Sequence, residues 1–224
     1  PMNGILGFAQ LLRKRTLEPG TQAQYLQLIE KSGKRMLNTI NDIIDISKIE
    51  SGQVEVYWSE TAINQLLHSS YQFFKPEAEQ KGLRLELRHT LAPHQATLTT
   101  DPVKLEGILT NLLKNAVKYT KSGFIHFGAI DKQEELYFYV QDTGTGIPKA
   151  RQKAVFERFV QADLNKTKPE EGSGIGLSLC KAYVSLLGGS IGVGSEPGKG
   201  STFYFTLPKA PPGQKEAAAN QTGA

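Results

Sequence analysis

Asn111-Leu112-Leu113-Lys114-Asn115-Ala116-Val117-Lys118-Tyr119 is the stretch on which the reading of this chain turns. Upstream, Asp101-Pro102 supplies a helix N-cap followed by proline in the first turn. Leu105, Ile108, Leu109, Leu112 and Leu113 then recur at steps of three and four, the apolar face of a helix. Asn111 and Asn115 lie one turn apart on another face, and Lys118 extends it. Neutral amide oxygens can ligate Mg²⁺, a hard ion that keeps several waters and bridges phosphates, and the lysine would meet phosphate charge directly. Alone, such an Asn-x-x-x-Asn pair is most often a solvated helix face.

Two further motifs follow. Phe124-Ile125-His126-Phe127 and Leu136-Tyr137-Phe138-Tyr139-Val140 predict an antiparallel pair across Asp131-Lys132-Gln133-Glu134, and the second strand runs into Asp142-Thr143-Gly144-Thr145-Gly146-Ile147-Pro148. A carboxylate at a strand end can accept from an exocyclic amine, and Gly144 and Gly146 let a base approach the backbone, so adenine is the expected partner of Asp142. Gly172-Ser173-Gly174-Ile175-Gly176-Leu177 opens a helix expected over 173–187, whose free N–H groups and dipole favour phosphate oxygens. Taken singly, either glycine motif also occurs in plain turns.

The remaining chain falls into three parts. Residues 2–15 carry Ile5, Phe8, Ala9 and Leu12 on one helical face, and Pro19-Gly20 makes a turn, with a second helix expected from Thr21 or Gln22 to Ser51-Gly52. That helix repeats Leu26, Ile29, Gly33, Met36, Ile40, Ile43, Ser47 and Glu50 as a heptad seam, widened by Leu37 and Ile44. The hairpin is too small to be stable alone, so pairing with a second copy into a four-helix bundle is expected, packing on the next domain being the alternative. A strand is expected over 53–57, a helix over 61–81, a strand over 83–87, a short helix over 150–159 and a hairpin of 190–193 with 201–207 across Pro197-Gly198-Lys199-Gly200. Residues 161–172 read as a mobile loop, and 209–224, rich in Ala, Pro, Gly and Gln, as a disordered tail or linker. The expected domains are therefore 1–52, 53–208 and the tail 209–224.

Composition bounds the function. With 39% hydrophobic and 21% charged residues the chain is an ordinary globular sequence. A net charge of +4, from 26 basic and 22 acidic residues, suits phosphate ligands without requiring nucleic acid, and no nucleic-acid partner is expected. The lone Cys180 excludes an internal disulfide and fits a reducing, cytoplasmic setting. No apolar run reaches the roughly 20 residues of a membrane span, so no direct membrane contact is expected. The chain does not begin with methionine, which suggests a piece of a longer parent, one that could be anchored in the inner membrane.

Taken together, the order and spacing of these motifs closely resemble the histidine protein kinases of two-component systems. Asn111 to Tyr119 resembles their N box, Asp142 to Ile147 their G1 box, Phe156-Glu157-Arg158-Phe159 their F box and Gly172 to Leu177 their G2 box. Pro1-Met2-Asn3-Gly4-Ile5 is similar to the end of the H box. The resemblance implies an α+β chain: a helical hairpin forming a dimeric four-helix bundle, followed by an α/β sandwich ATP-binding domain of the histidine kinase/gyrase type. It implies ATP and Mg²⁺ as cofactors, homodimerisation, autophosphorylation of a histidine and phosphotransfer to an aspartate of a response regulator receiver domain, in a phosphorelay whose kinase could be a hybrid. By the same resemblance Asn115 ligates Mg²⁺ with support from Asn111, Lys118 and Arg158 hold phosphates, Tyr119 and Ile147 pack near the base, and Thr202 sits under it. Residues 161–172 become a lid, with Phe156 and Phe159 anchoring its start.

Two departures stand out. Thr143 occupies a position where the family often has Asn. The family's acceptor histidine lies a few residues before the proline that matches Pro1, so none of His68, His89, His94 or His126 is in that context, each being expected to be an ordinary surface or partly buried histidine. Gyrase-type ATP hydrolysis is the first rival, but those relatives carry a glutamate one turn before the Mg-binding asparagine, where this chain has Asn111. A nucleotide-sensing scaffold without catalysis is the second.

Overall fold

The computed structural model describes residues 2–13, 18–160 and 174–210. They form two compact units, Pro1–Gln53 and Val54–Ala224.

In the first unit α1 (Met2–Leu12) and α2 (Pro19–Glu50) make the expected hairpin, with the rings of Phe8 and Tyr25 5.5 Å apart. Helix α2 starts earlier than expected, because a proline at the first helical position has its φ already set and no N–H to lose. It ends where the sequence says. Gly52 takes φ +67°, its N–H donates to the Ile49 carbonyl at 3.1 Å, and Gln53 N–H reaches Lys48 at 2.9 Å, which is a Schellman motif. Leu26, Leu37, Ile40, Ile43 and Ile44 on α2 are exposed, Leu37 by 62%.

The second unit is a sheet with helices on one face. Strands β2 (Arg84–His89), β4 (Phe124–Asp131), β5 (Glu135–Asp142), β7 (Gly200–Pro208) and β6 (Ser190–Glu196) lie in that order, β2 parallel to β4 and the other pairs antiparallel. Helices α3 (Ile63–Gln80), α4 (Pro102–Tyr119) and α5 (Gly176–Leu186) cover the face reached by Ile125, Phe127, Leu136, Phe138, Phe203, Phe205 and Leu207. Helix α4 supplies the central stripe: Leu105, Ile108, Leu109, Leu112, Leu113 and Val117 are fully buried, each contributing about 1.5–3 kcal/mol of apolar transfer. Asp101 caps α4 by accepting from the N–H groups of Val103 and Lys104, as its sequence position predicts.

Several local expectations are corrected. Residues 53–57 form no ladder: the Tyr57 N–H donates to Asp101 Oδ2 at 3.1 Å and the Glu55 carbonyl accepts from Lys104 Nζ at 2.9 Å, so the N-cap and first turn of α4 claim these two backbone groups. The strand instead is β1 (Ser59–Ala62), paired with β3 (Thr97–Thr100), two polar segments whose alternation is too weak to read. The helix expected over 150–159 resolves into two 3₁₀ turns, Lys149–Arg151 and Ala154–Phe156. Lys209 is held to the domain, its Nζ 2.8 Å from Asp131 Oδ2 and its N–H on the Glu134 carbonyl. The expected lid at 161–172, the turn residues 14–17 and the tail from 211 onward lie outside the described residues.

Candidate functional site

Asp142 ends β5 on the helix-covered face and is buried, 7% exposed. Its Oδ1 accepts from the Gly144 N–H at 2.8 Å. Burial pushes the carboxyl above its ordinary range, opposed by backbone N–H donation from Gly144 and Ser201. A desolvated carboxylate with lone pairs to spare is a strong acceptor for an amine.

The glycines beside it are required by close approach. A Cβ on Gly144 would stand 2.6 Å from the Tyr119 carbonyl oxygen, at the end of α4. Gly146 takes φ +69°, and a Cβ there would overlap the Glu196 carbonyl on β6. The turn is therefore pressed between the end of α4 and the β6–β7 hairpin. Thr145 N–H donates to the Tyr119 carbonyl at 3.3 Å, and Ile147 N–H to Ser195 Oγ at 2.7 Å. Ile147 is buried and Tyr119 is exposed. Thr143 ties the same turn to the start of β4: its Oγ1 accepts from Phe124 N–H at 2.9 Å and donates to the Ser122 carbonyl at 3.1 Å. The residue that departs from the family pattern thus has a hydrogen-bonding task in the turn.

The amide helix and the second glycine motif meet. Asn111 and Asn115 are half-buried on α4, and a Cβ on Gly176 would lie 2.8 Å from Asn111 Oδ1, so the start of α5 is seated against that amide. Ile175 is buried under this junction, and Leu177 packs partly buried against the core. Lys118 Nζ donates to the Tyr119 hydroxyl at 2.7 Å and stands 4.3 Å from the ring centre. Among the described residues no cluster of three or more His, Cys, Asp or Glu could hold a metal. A divalent ion here would rest on the amide oxygens of Asn115 and Asn111 together with ligand phosphates, which fits Mg²⁺.

Phe156 is buried and edge-on to Phe203 with centroids 6.2 Å apart. Phe159 is 67% exposed. Its backbone takes a positive φ, and its N–H donates to the Gly174 carbonyl at 3.0 Å. Gly174 itself takes φ +69°. Arg158 is exposed, while Gly172 and Ser173 lie outside the described residues.

Thr202 is also corrected. Asp142 pairs with Ser201, and Thr202 pairs with Gln141 and Gly194. Strand alternation puts Thr202 on the opposite face, where with Gln141 and Gly194 it lines a polar hollow of about 350 Å³ that also touches Asp142 and Ser201. Ser201 is the hydroxyl beside Asp142. Sequence reasoning missed it, although the inward run Phe203, Phe205, Leu207 carries the parity that selects 201 over 202. Of the histidines, His68, His89 and His94 are exposed, whereas His126 is buried and stacked on Phe124 at 3.9 Å.

The family described as histidine kinase-, DNA gyrase B- and HSP90-like ATPase matches residues 100–211, and the His Kinase A (phospho-acceptor) domain matches residues 1–52. The sensor protein GacS of Pseudomonas syringae pv. syringae is 40% identical over 225 residues, covering 97% of this chain and 24% of its own length. The autoinducer 2 sensor kinase/phosphatase LuxQ of Vibrio vulnificus is 38% identical over 214 residues, 93% of this chain and 25% of its own. The chain thus spans about a quarter of the length of the curated relatives it matches. Full-length ShkA, crystallised with AMPPNP, superposes with a TM-score of 0.75 at 31% identity, over 94% of this chain and 43% of that one.

Proposed function

Because this chain belongs to the sensor histidine kinases, carrying both their phospho-acceptor and their ATPase domains, we propose that it binds Mg-ATP at Asp142, Asn115 and the start of α5 and transfers the γ-phosphoryl group to a histidine, from which it passes to an aspartate of a response regulator receiver domain. The observation that carries the nucleotide reading is Asp142, a buried acceptor at the closed end of a turn whose glycines leave no room for side chains. Asp142 and Ser201 read the base, Tyr119 and Ile147 flank it, Asn115 and Asn111 face the metal and phosphates, and Lys118, Arg158, Gly172 and Ser173 with the N–H groups of 174–177 meet phosphate charge. Mg²⁺ bound there would supply charge neutralisation on the phosphates.

Transfer is favoured over hydrolysis by the face of α4 at 111, 115 and 118, which offers two amides and an ammonium and no carboxylate to deprotonate water. An imidazole acceptor is already nucleophilic and needs no such base. Residues 1–52 contain no histidine, and on this reading the acceptor lies outside that segment. The exposed stripe on α2 supports pairing of two hairpins into a four-helix bundle. No helix among the described residues is long and apolar enough to cross a membrane, and a cytoplasmic location is proposed for this part of the protein.

The test is labelling with γ-labelled ATP. The chain extended by its native preceding sequence should acquire acid-labile, alkali-stable phosphate and pass it to a cognate receiver domain. ATP binding without any label would favour the scaffold reading, and rapid phosphate release without label would favour hydrolysis.

A further inference from the structure

Asp142, Ser201 and Ser195 stand side by side on one face of three neighbouring strands, since Asp142 pairs with Ser201 and Ser201 with Ser195. A serine hydroxyl has one proton to give and two lone pairs. At Ser195 all three are used. Its Oγ accepts from Ile147 N–H at 2.7 Å and lies 2.8 Å from the Gly200 carbonyl, which can only accept. Those two partners fix its polarity: the proton goes to Gly200, and the remaining lone pair faces Ser201 Oγ at 2.9 Å. Ser201 is therefore the donor of that pair. Its proton is turned toward Ser195, so the hydroxyl beside Asp142 can only accept. Gln152 braces the arrangement, its amide donating to the Ile147 carbonyl at 3.0 Å and to the Ser195 carbonyl at 2.6 Å.

We propose that Ser195 is a positioning residue for base selection: by committing the Ser201 proton it leaves two acceptors, the Asp142 carboxylate and Ser201 Oγ, facing the 6-position of a purine. This rests on the reading of Asp142 as the base contact. A 6-amino group brings two N–H donors to that pair, whereas a 6-oxo group would set its own lone pairs against both. Removing the Ser195 hydroxyl frees the Ser201 proton to point at a 6-oxo oxygen or at Asp142 itself, so discrimination falls.

The test is calorimetric titration of the 224-residue chain with Mg-ATP and with Mg-ITP, which differ at the 6-position. The native chain should prefer ATP; Ser195→Ala should shrink the ATP-to-ITP affinity ratio roughly three- to tenfold, and Ser195→Thr should restore it. Ser201→Ala should shrink the ratio to the same extent, and decides the matter if Ser195→Ala fails to fold. Equal weakening of both nucleotides in Ser195→Ala, or an unchanged ratio, overturns the proposal while the ATP reading stands. A native chain that binds neither nucleotide overturns that reading as well.

Discussion

Asp142→Asn separates ligand recognition from folding. The carboxylate is 7% exposed, receives N–H groups from Gly144 and Ser201, and is held above its ordinary pKa chiefly by burial. Because its folded pKa is raised, its contribution to stability is fully present below the unfolded value and is lost as pH rises through the folded one. At neutral pH the fold carries a desolvated charge, and a neutral amide of the same shape removes that cost. Ligand binding has the opposite sign, because an exocyclic amine needs the ionised acceptor. A hydrogen bond to a charged group contributes about 1.5–3 kcal/mol, so Asn should weaken Mg-ATP binding roughly 10- to 150-fold. Titration calorimetry beside thermal melts at pH 7 should show that loss with no fall in Tm. Native affinity should also decline as pH drops through the raised carboxyl pKa, while the Asn variant stays flat. Affinity within threefold of native, or a Tm that falls with it, would refute the assignment.

Three further outcomes are expected. Lys104→Met strands the buried Asp101 carboxylate, 2.6 Å from Lys104 Nζ, and should destabilise the domain by about 3–5 kcal/mol in urea unfolding, a loss under 1 kcal/mol contradicting the pairing. Burial opposes ionisation of Asp101, but the Lys104 ammonium and the N–H groups of Lys104 and Tyr57 outweigh it and lower its pKa, so its stabilisation is present above its ordinary value and fades as pH falls through the folded one. Gly146→Ala meets both a φ of +69° and the Glu196 carbonyl, and should cost about 2–5 kcal/mol by thermal or chemical unfolding; near-native stability would show that the turn yields freely. Leu37→Glu with Ile44→Glu puts charge on the exposed stripe of α2 and should convert a dimer to monomer by light scattering, an unchanged mass arguing for another interface.

The family and its motifs were legible because they rest on local rules. The N-cap at Asp101, the apolar stripe of α4 and the Schellman end of α2 at Gly52 each follow from a few neighbouring residues. Where contacts are distant in sequence, the reading failed. Segment 53–57 alternates like a strand, yet its backbone is claimed by Asp101 and Lys104 about 45 residues away, and the real strand β1 exists only through its pairing with β3.

The expectation of a nucleotide ligand came from an amide helix, an Asp-Gly turn and a glycine-rich helix start occurring together in this order and spacing, since each of them alone is commonplace. What only the assembled domain settles is which segments lie side by side: β7 next to β5 with Ser201 opposite Asp142, and the Phe159 N–H on the Gly174 carbonyl. The parity of Phe203, Phe205 and Leu207 marks Ser201 as inward, but which strand it pairs with depends on contacts between segments far apart in the chain, and nothing local sets that pairing.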